Sequence, residues 1–275
     1  MDCFAVCDRA VRLSKMELAV IGRNAGGEGG GGVHCARKCA AVAKKNELKP
    51  WQVKEWLSPS AEPDYVCAME TVLDVYERPY DAEHPTVCLA ESPQPLVSEV
   101  RAGFTDAHGV PYQDFEYKRE GVADLSLVCE PLQGRREIFV KENHNRLNWA
   151  AMIRVIAEEM YPQAPKITLV QDNLSAHKPS ALFERMLAEQ ARAILRHIEF
   201  VQTPKHGSWF NMAEIELGLL KRVGLATRVG SRKELAQQVA AYQTTRKTKP
   251  TNIHWQFTTK DARVKLKRLY PLIEP

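Results

Sequence analysis

Two short apolar runs, each ending abruptly in polar residues, constrain the fold of this chain more than any other feature. The first run covers residues 167–170 and ends just before Asp172, and the second covers residues 198–201 and ends before the polar residues 203–207. Short apolar runs bounded by turn residues are typical of buried β-strands. Two core strands, each followed by a polar loop, are therefore predicted within residues 166–222.

A helix is predicted directly after the second run and its loop. Its apolar side chains have the spacing of one helix face, at Met212, Ile215, Leu219 and Val223. Asp172 thus lies at the exit of a predicted strand, and Glu214 lies in the first turn of this helix. Taken singly, Asp172 reads as a helix N-cap and Glu214 as a favourable partner of the helix dipole. Brought together, the two carboxylates would repel one another, and a bound Mg²⁺ would relieve that repulsion.

The remaining periodicity predicts an α/β fold. Strand patterns occur at residues 87–89, 115–117, 123–129 and 137–141, and helical spacing occurs at 66–76, 149–160, 179–195, 232–245 and 259–269. Hairpin-like strands come first in this order, and alternating helices and strands follow. That order favours a mixed sheet flanked by helices, with further helices at the C-terminal end.

Composition restricts the class of protein without indicating a function. The chain has 275 residues, of which 44% are hydrophobic and 26% charged, as is ordinary for a globular protein. No apolar run approaches the roughly 18 residues of a membrane helix, and the first residues lack a basic signal region, so a cytoplasmic protein with no membrane partner is expected. The seven cysteines are odd in number and scattered, which argues against a disulfide framework.

The first 43 residues differ in composition from the rest of the chain. Residues 22–32 hold seven of the fifteen glycines and lack the Gly-Lys-Ser/Thr ending of a phosphate-binding loop. This run is predicted to be a flexible linker, with residues 1–32 disordered or loosely attached. A zinc site is a weaker reading, because the spacing is longer than usual between its candidate ligands, Cys3, Cys7, Cys35 and Cys39.

Basic and aromatic residues accompany the two acids. Cleavage of a phosphodiester needs carboxylates that hold two metal ions, together with cations and stacking groups that hold the nucleic acid. We therefore expect a metal-dependent site that binds nucleic acid. The residues predicted to contact the nucleic acid are Lys205, His206, Trp209, Lys221, Arg263 and Lys265. For the basic residues 260–268, the alternative is a solvated charged face on a helix whose packed side would carry Val264, Leu266 and Leu269.

Three motifs resemble the mariner-like bacterial insertion-sequence transposases, members of the DDE superfamily with a ribonuclease H-like catalytic core. They are Gln171-Asp172-Asn173 with His177, the run TPKHGSWFNMAE that ends at Glu214, and the closing segment 255–271. The resemblance covers about residues 44–271. It implies that Asp172 is the second acid and Glu214 the third, and that they hold Mg²⁺ or Mn²⁺. It also implies an enzyme that cuts DNA strands and joins the freed 3′-hydroxyl to a target.

The chain departs from this family at the first acid. The family has an Asp at the end of the first core strand, and the matching residue here is Ala90. Glu91 is adjacent, but consecutive side chains of a strand point to opposite faces, so Glu91 cannot simply replace the missing acid. Ser92 returns to the required face, yet a hydroxyl is a weak metal ligand compared with a carboxylate. The resemblance therefore implies an incomplete two-metal site.

The N-terminal region is the second departure. Family members carry helix-turn-helix units ahead of the core, which read the terminal repeats of the element. Residues 44–84 are predicted to be a remnant of such a unit with a linker, whereas the degenerate, glycine-rich residues 1–43 match nothing expected of the family. The ribonuclease H-like catalytic core is predicted at residues 85–225, and a helical extension of it at 226–275.

Three functions remain open at this point. The first is a DDE-type transposase that forms a homodimer and acts on terminal inverted repeats and target DNA, with strand cleavage impaired by Ala90. The second is a non-catalytic DNA-binding remnant that occupies transposon ends or interferes with an intact transposase. The third is an unrelated metal-dependent nuclease, in which Glu99 or Asp106 completes the site.

Overall fold

A five-stranded mixed sheet organises the part of the chain that this computed structural model describes, namely residues 62–225, 228–248 and 251–271. Its strands are β1 (Thr86–Glu99), β4 (Tyr117–Glu130), β5 (Arg135–Lys141), β6 (Ile167–Gln171) and β7 (Ile198–Gln202). The two short strands β2 (Phe104–Thr105) and β3 (Pro111–Tyr112) pair only with each other. The predicted glycine-rich linker and the candidate zinc ligands fall outside the described residues.

The order of the strands across the sheet is β5-β4-β1-β6-β7. Neighbours among β5, β4 and β1 are antiparallel, whereas β1, β6 and β7 run parallel. Three antiparallel strands followed by two parallel ones form a ribonuclease H-like sheet, so the predicted fold class is confirmed. This topology places the carboxyl ends of β6 and β7 at one edge, which is where Asp172 leaves the sheet.

Seven helices flank the sheet in the described residues. They are α1 (Pro63–Glu77), α2 (Arg146–Arg154), α3 (Leu182–Arg185), α4 (Ala188–His197), α5 (Met212–Leu219), α6 (Arg232–Thr248) and α7 (Thr259–Lys265). Helix α2 continues as a π-helix over Val155–Met160, and α5 continues as one over Leu220–Gly224. The single helix predicted over residues 179–195 is instead broken, because the backbone is extended at Met186 and Leu187.

The sheet has an apolar core on each face. On the first face, helices α1, α5 and α6 cover β-strand residues such as Ala90 and Val170. On the second face, α2 and α4 cover residues such as Leu89 and Leu169, with Trp149 of α2 fully buried. Because α1 belongs to the first core, the described part of residues 44–84 packs with the sheet. The domain boundaries proposed from the sequence remain predictions.

The predicted buried face of α5 is right at Met212 but wrong at Ile215 and Val223. Ile215 is 50% exposed and Val223 is 63% exposed, whereas Glu216 is buried. The reason is an ion pair across the core: Nε of Arg136 lies 2.7 Å from Oε2 of Glu216, and both side chains are at most 5% exposed. Burying this pair rotates the helix, so that the stripe facing the core is Met212, Ala213, Glu216, Leu217 and Leu220.

The C-terminal segment is also packed differently from the prediction. Val264 of α7 is 77% exposed, and Ala262 is the buried residue of this helix. Leu266 and Leu269, as predicted, pack against the first core. No helix in the described ranges is both long and apolar enough to cross a membrane.

Candidate active site

Asp172 and Glu214 meet at the edge of the sheet where β6 ends. Asp172 follows the last residue of β6 directly and is only 7% exposed. Glu214 lies in the first turn of α5, and its carboxyl group shares a hydrogen bond with that of Asp172. The structure therefore brings together the two acids that are 42 positions apart by residue number.

Asn211 holds this arrangement in place and is itself fully buried. Its side-chain oxygen accepts a hydrogen bond from the backbone N–H of Ala213 at 3.1 Å, which caps the N-terminus of α5. Its Nδ2 donates to Oδ1 of Asp172 at 3.1 Å and to the carbonyl of Leu89 in β1 at 2.8 Å. One amide thus ties β1, β6 and α5 together. Asn211 was not among the predicted site residues. An Asn directly before a helix is the usual signal of a cap, and that signal was present in the sequence.

Burial is the largest influence on the pKa of Asp172. Burial raises the pKa of Asp172 above its usual range, and the hydrogen bonds with Asn211 and Glu214 offset only part of that effect. Two carboxyl groups in hydrogen-bond contact share a proton when no cation is present. Such a pair of oxygen donors suits a hard divalent cation, which would take the place of the shared proton.

Ala90 occupies the neighbouring position on β1 and is fully buried. It belongs to the same core as Val170, two residues before Asp172, so it lies on the face that carries the acid pair. Two residues further along β1, the hydroxyl of Ser92 accepts a hydrogen bond from Nζ of Lys221. A methyl group therefore stands where a third carboxylate would complete the site, and an ammonium lies two residues along the strand. Within the described residues, no three His, Cys, Asp or Glu side chains group to hold a metal.

Glu91 points to the opposite face of the sheet, as predicted. Its side chain is 3% exposed, and Oε2 lies 3.3 Å from Nε2 of His177. Ser126 donates to Oε1 at 3.1 Å, and Nζ of Lys141 lies 3.9 Å from the same oxygen. Burial raises the pKa of Glu91, but the hydrogen bond from His177 and the charge of Lys141 outweigh it, and the pKa lies below its usual value. Glu91 therefore cannot complete the acid pair.

The alternative third ligands, Glu99 and Asp106, do not reach the site. Glu99 is nine residues beyond Ala90 on the same strand, roughly 25–30 Å away at the rise of a β-strand. It accepts hydrogen bonds from Gln113 and from the backbone of Gly103. Asp106 accepts from the backbone of His108 and Val110 in the β2–β3 turn. The reading of an unrelated nuclease completed by either acid is therefore wrong.

Lys205, His206 and Trp209 lie in the loop that joins β7 to α5, next to the acid pair. His206 has a φ of 63°, and Trp209 is 53% exposed while its ring stacks on Phe210 with centroids 3.7 Å apart. The backbone N–H of Thr203, where this loop begins, donates to the carbonyl of Gln171 at the end of β6. The loop therefore presents a cation and an indole at the edge that carries Asp172.

Three predicted DNA contacts remain. Lys221 donates to Ser92, and the other two lie on α7 and are engaged in local pairs. Arg263 makes two hydrogen bonds of 2.8 Å to the carboxylate of Glu70 on α1. Nζ of Lys265 lies 3.3 Å from Asp261 and 5.5 Å from the ring centroid of Phe257. The guanidinium of Arg263 fastens α7 to α1, so the roles of Arg263 and Lys265 in binding DNA stay predictions.

Comparison with known proteins gives one family. The profile described as DDE superfamily endonuclease matches residues 85–236, more than half of the chain. A similar solved structure is the Mos1 mariner paired end complex with Mn, at 12% identity over 92% of this chain and 75% of that chain, with a TM-score of 0.47. Another is the Mos1 strand transfer complex, at 13% identity over 92% and 76%, with a TM-score of 0.48. No curated protein matches by sequence.

The matched region coincides with the part of the chain that builds the site. Residues 85–236 include all five strands of the main sheet and both acids, Asp172 and Glu214. They also include Ala90, the loop that carries Trp209, and the buried Asn211. This chain belongs to the DDE superfamily of endonucleases.

Proposed function

We propose that the protein is a DDE-type transposase of an insertion sequence, one that binds transposon ends and target DNA but is impaired in strand cleavage and strand transfer. The observation that carries the proposal is the hydrogen-bonded pair of Asp172 and Glu214 at the edge of a ribonuclease H-like sheet, beside Ala90. A paired, largely buried set of acids at a sheet edge suits metal-assisted chemistry on a phosphodiester.

The residues present fit one divalent ion better than two. Asp172 and Glu214 would hold Mg²⁺ or Mn²⁺ through their carboxylate oxygens, and Asn211 would keep the Asp172 side chain in place. Such an ion would polarise the phosphodiester and lower the pKa of a bound water. A second ion would need a bridging carboxylate from β1, where Ala90 has only a methyl group and Lys221 adds a positive charge.

DNA binding is assigned to the loop between β7 and α5. Lys205 supplies a charge for a phosphate, and the exposed ring of Trp209 supplies a surface on which a base can stack. Phosphate contacts release counterions from DNA, so binding of this kind must weaken steeply with salt. A homodimer would present two such loops, one for each transposon end.

A non-catalytic role is the second candidate, and the burial of Ala90 favours it. Ala90 is fully covered by the first core, and its methyl group offers no oxygen to a second ion. The DNA-binding loop does not depend on that position. Such a protein would occupy transposon ends or pair with an intact transposase subunit and interfere with it.

Nicking of supercoiled plasmid in Mn²⁺ tests the catalytic proposal independently of end recognition. The unmodified chain should nick slowly, and Ala90→Asp should raise the rate by at least about tenfold, because even outer-shell changes at metal sites cost about 10- to 100-fold. Adding Asp172→Ala should abolish the gain. If the unmodified chain nicks as fast as Ala90→Asp, and Asp172→Ala stops both, a ligand outside this arrangement completes the site.

A salt titration of DNA binding tests the loop. Lys205→Ala should lower the slope of log affinity against log salt by about 1, and Trp209→Ala should weaken binding to single-stranded DNA by about 1–3 kcal/mol without changing the slope. Arg192 is an exposed cation on α4, so Arg192→Ala is the matched control and should change neither the salt slope nor the affinity. An affinity that stays flat between low and moderate salt would rule out phosphate contacts.

A further inference from the structure

His177 bridges two strands through a histidine ring that is fully buried. Its Nδ1 lies 2.9 Å from the backbone carbonyl of Asp172, and its Nε2 lies 3.3 Å from the carboxylate of Glu91. A carbonyl oxygen only accepts hydrogen bonds, so Nδ1 is the donor to Asp172. The ring therefore links the residue that carries the acid to the residue that follows Ala90.

The bridge begins where the ladder between β1 and β6 ends. The last paired residues of these parallel strands are Leu89 and Gln171. The next position on β6 is Asp172, and Glu91 lies two positions beyond Leu89 on β1. In the described residues, these two strands have no further backbone pairing beyond this point. The ring of His177 spans the gap at that point and continues the connection between the strands.

Both ends of the bridge are themselves held in place. The ring of His177 stacks on Trp149 with centroids 5.8 Å apart and an interplanar angle of 18°. The indole N–H of Trp149 donates to Oε1 of Gln171 at 3.0 Å, so the stacking partner is anchored to the last residue of β6. At the other end, Ser126 of β4 donates to Glu91. Such restraint of a supporting group is what keeps a metal ligand in one geometry.

We propose that Glu91 and His177 form a positioning pair, in which Glu91 orients the ring and the ring holds Asp172 by its backbone carbonyl in the geometry that binds a divalent cation. The proposal rests on the function proposed above. Neither residue touches DNA or the cation, since both lie behind Asp172 on the second face of the sheet. The pair is therefore a separate element of the site, formed by the face that does not carry the acids.

Two substitutions of His177 separate its two hydrogen bonds. His177→Asn keeps an N–H donor near the position of Nδ1, and His177→Gln keeps one near the position of Nε2. Mn²⁺ binding is measured by electron paramagnetic resonance on the full chain, with the signal of Asp172→Asn subtracted to isolate this site. His177→Gln should weaken Mn²⁺ binding about 10- to 100-fold, the range for outer-shell changes, whereas His177→Asn should stay within about threefold.

Glu91 supplies the matched pair of controls. Glu91→Gln keeps an acceptor oxygen for Nε2 and should also stay within about threefold of the unmodified chain, whereas Glu91→Leu removes the acceptor and should weaken Mn²⁺ binding about tenfold. Equal Mn²⁺ affinity in all four variants would overturn the proposal. Equal loss in His177→Asn and His177→Gln would also overturn it, because that result indicates a general effect on folding.

Amide hydrogen exchange separates failure of this proposal from failure of the proposed function. The turn after β6 is closed by the bonds from Leu174 N–H to the Asp172 carbonyl and from His177 N–H to the Leu174 carbonyl. Exchange in this turn should rise about tenfold in His177→Gln and remain unchanged in His177→Asn. Unchanged exchange in both would reject the bridge. If the unmodified chain and Asp172→Asn bind Mn²⁺ equally, the proposed metal site is wrong, and exchange alone decides whether the bridge holds Asp172.

Discussion

Folding shifts the pKa values of two neighbouring acids in opposite directions, and the two acids lie on opposite faces of the sheet. On the first face, the carboxyl group of Asp172 shares a hydrogen bond with that of Glu214, and burial raises the pKa of Asp172. On the second face, burial of Glu91 is outweighed by His177 and Lys141, and its pKa falls below the usual value. The difference is that Glu91 has a histidine and a lysine beside its carboxylate, whereas Asp172 bonds to an amide and to a second carboxyl group.

A third acid confirms that the contrast concerns partners and not burial itself. Glu216 is two residues after Glu214 on the same helix and is equally a part of the first face. It is buried, yet Arg136 and Arg246 both contact its carboxylate, at 2.7 Å and 3.4 Å. Burial of an acid beside a guanidinium builds a structural ion pair. Burial of an acid beside another acid, at the open end of a strand, leaves room for a ligand.

The largest expected effect is loss of stability in Glu91→Ala. Removing one partner from a buried charge pair leaves the other uncompensated, which costs about 3–5 kcal/mol in the free energy of unfolding at pH 7. The pKa of Glu91 is lowered by folding, so its contribution is present above the unfolded pKa and is lost as the pH falls through the folded pKa. Urea unfolding should therefore show a difference that shrinks below about pH 4.

Glu142→Ala is the control for that measurement. Glu142 is 77% exposed and pairs with Arg232 at the surface, so its removal should change the free energy of unfolding by less than about 1 kcal/mol. Equal losses in Glu91→Ala and Glu142→Ala would mean that the two faces do not differ in the way described above.

The second prediction is that Mn²⁺ stabilises the protein only through the first face. At ten times its dissociation constant, a ligand that binds the folded state alone raises the free energy of unfolding by about 1.4 kcal/mol. This gain should disappear in Asp172→Asn and in Glu214→Gln, and it should persist in Glu142→Ala. Thermal unfolding with and without Mn²⁺ measures it, and an undiminished gain in Asp172→Asn would place the cation elsewhere.

The third prediction is a gain in the free energy of unfolding, whereas the first is a loss. Without metal, Asp172→Asn should raise the free energy of unfolding at pH 7 by about 1 kcal/mol, a usual size for a stabilising substitution. Folding raises the pKa of Asp172, so its contribution is present below the unfolded pKa and is lost as the pH rises through the folded pKa. The advantage of Asn should therefore vanish below about pH 4. A variant that is less stable at pH 7 would contradict the contrast.

The smallest expected effect concerns Lys221 beside Ala90. At a separation of about 10 Å, an ammonium opposes a divalent cation by about 0.8 kcal/mol in a water-like medium, or about fourfold in affinity. Lys221→Met should therefore strengthen Mn²⁺ binding about fourfold, with the larger gain in the Ala90→Asp background. Lys233→Met, which removes an exposed charge on α6, should leave the affinity unchanged. Weaker Mn²⁺ binding in Lys221→Met would show that Lys221 supports the site.

Local patterns were sufficient to predict β6, β7 and the position of Asp172. The apolar runs predicted at 167–170 and 198–201 correspond to strands Ile167–Gln171 and Ile198–Gln202. A central parallel strand is buried on both faces, so its sequence is a continuous apolar run that ends where the strand ends. The start of α5 was predictable for a similar reason, since its polar cap lies directly before its first turn.

Pairing between distant segments decided the length of β1. The sequence predicted only residues 87–89, where the apolar run lies, and Pro93 and Pro95 further along are unusual in a central strand. The structure extends β1 to Glu99, since β4 pairs with this half of the strand while β6 pairs only as far as Leu89. Within the part of the chain that the structure describes, the second half of β1 thus has no strand on one side, and a residue without an N–H is tolerated there.

The sequence by itself determined the class of fold, the two acids and the absence of an acid at Ala90, because each depends on residues close together in the chain. Only the tertiary structure decided that α5 turns Glu216 inward and Ile215 outward, and that Glu91 reaches His177. Those contacts join residues from separate strands and helices. Their energies depend on which charges meet inside the protein, and periodicity along one segment carries no information about the segment that will face it.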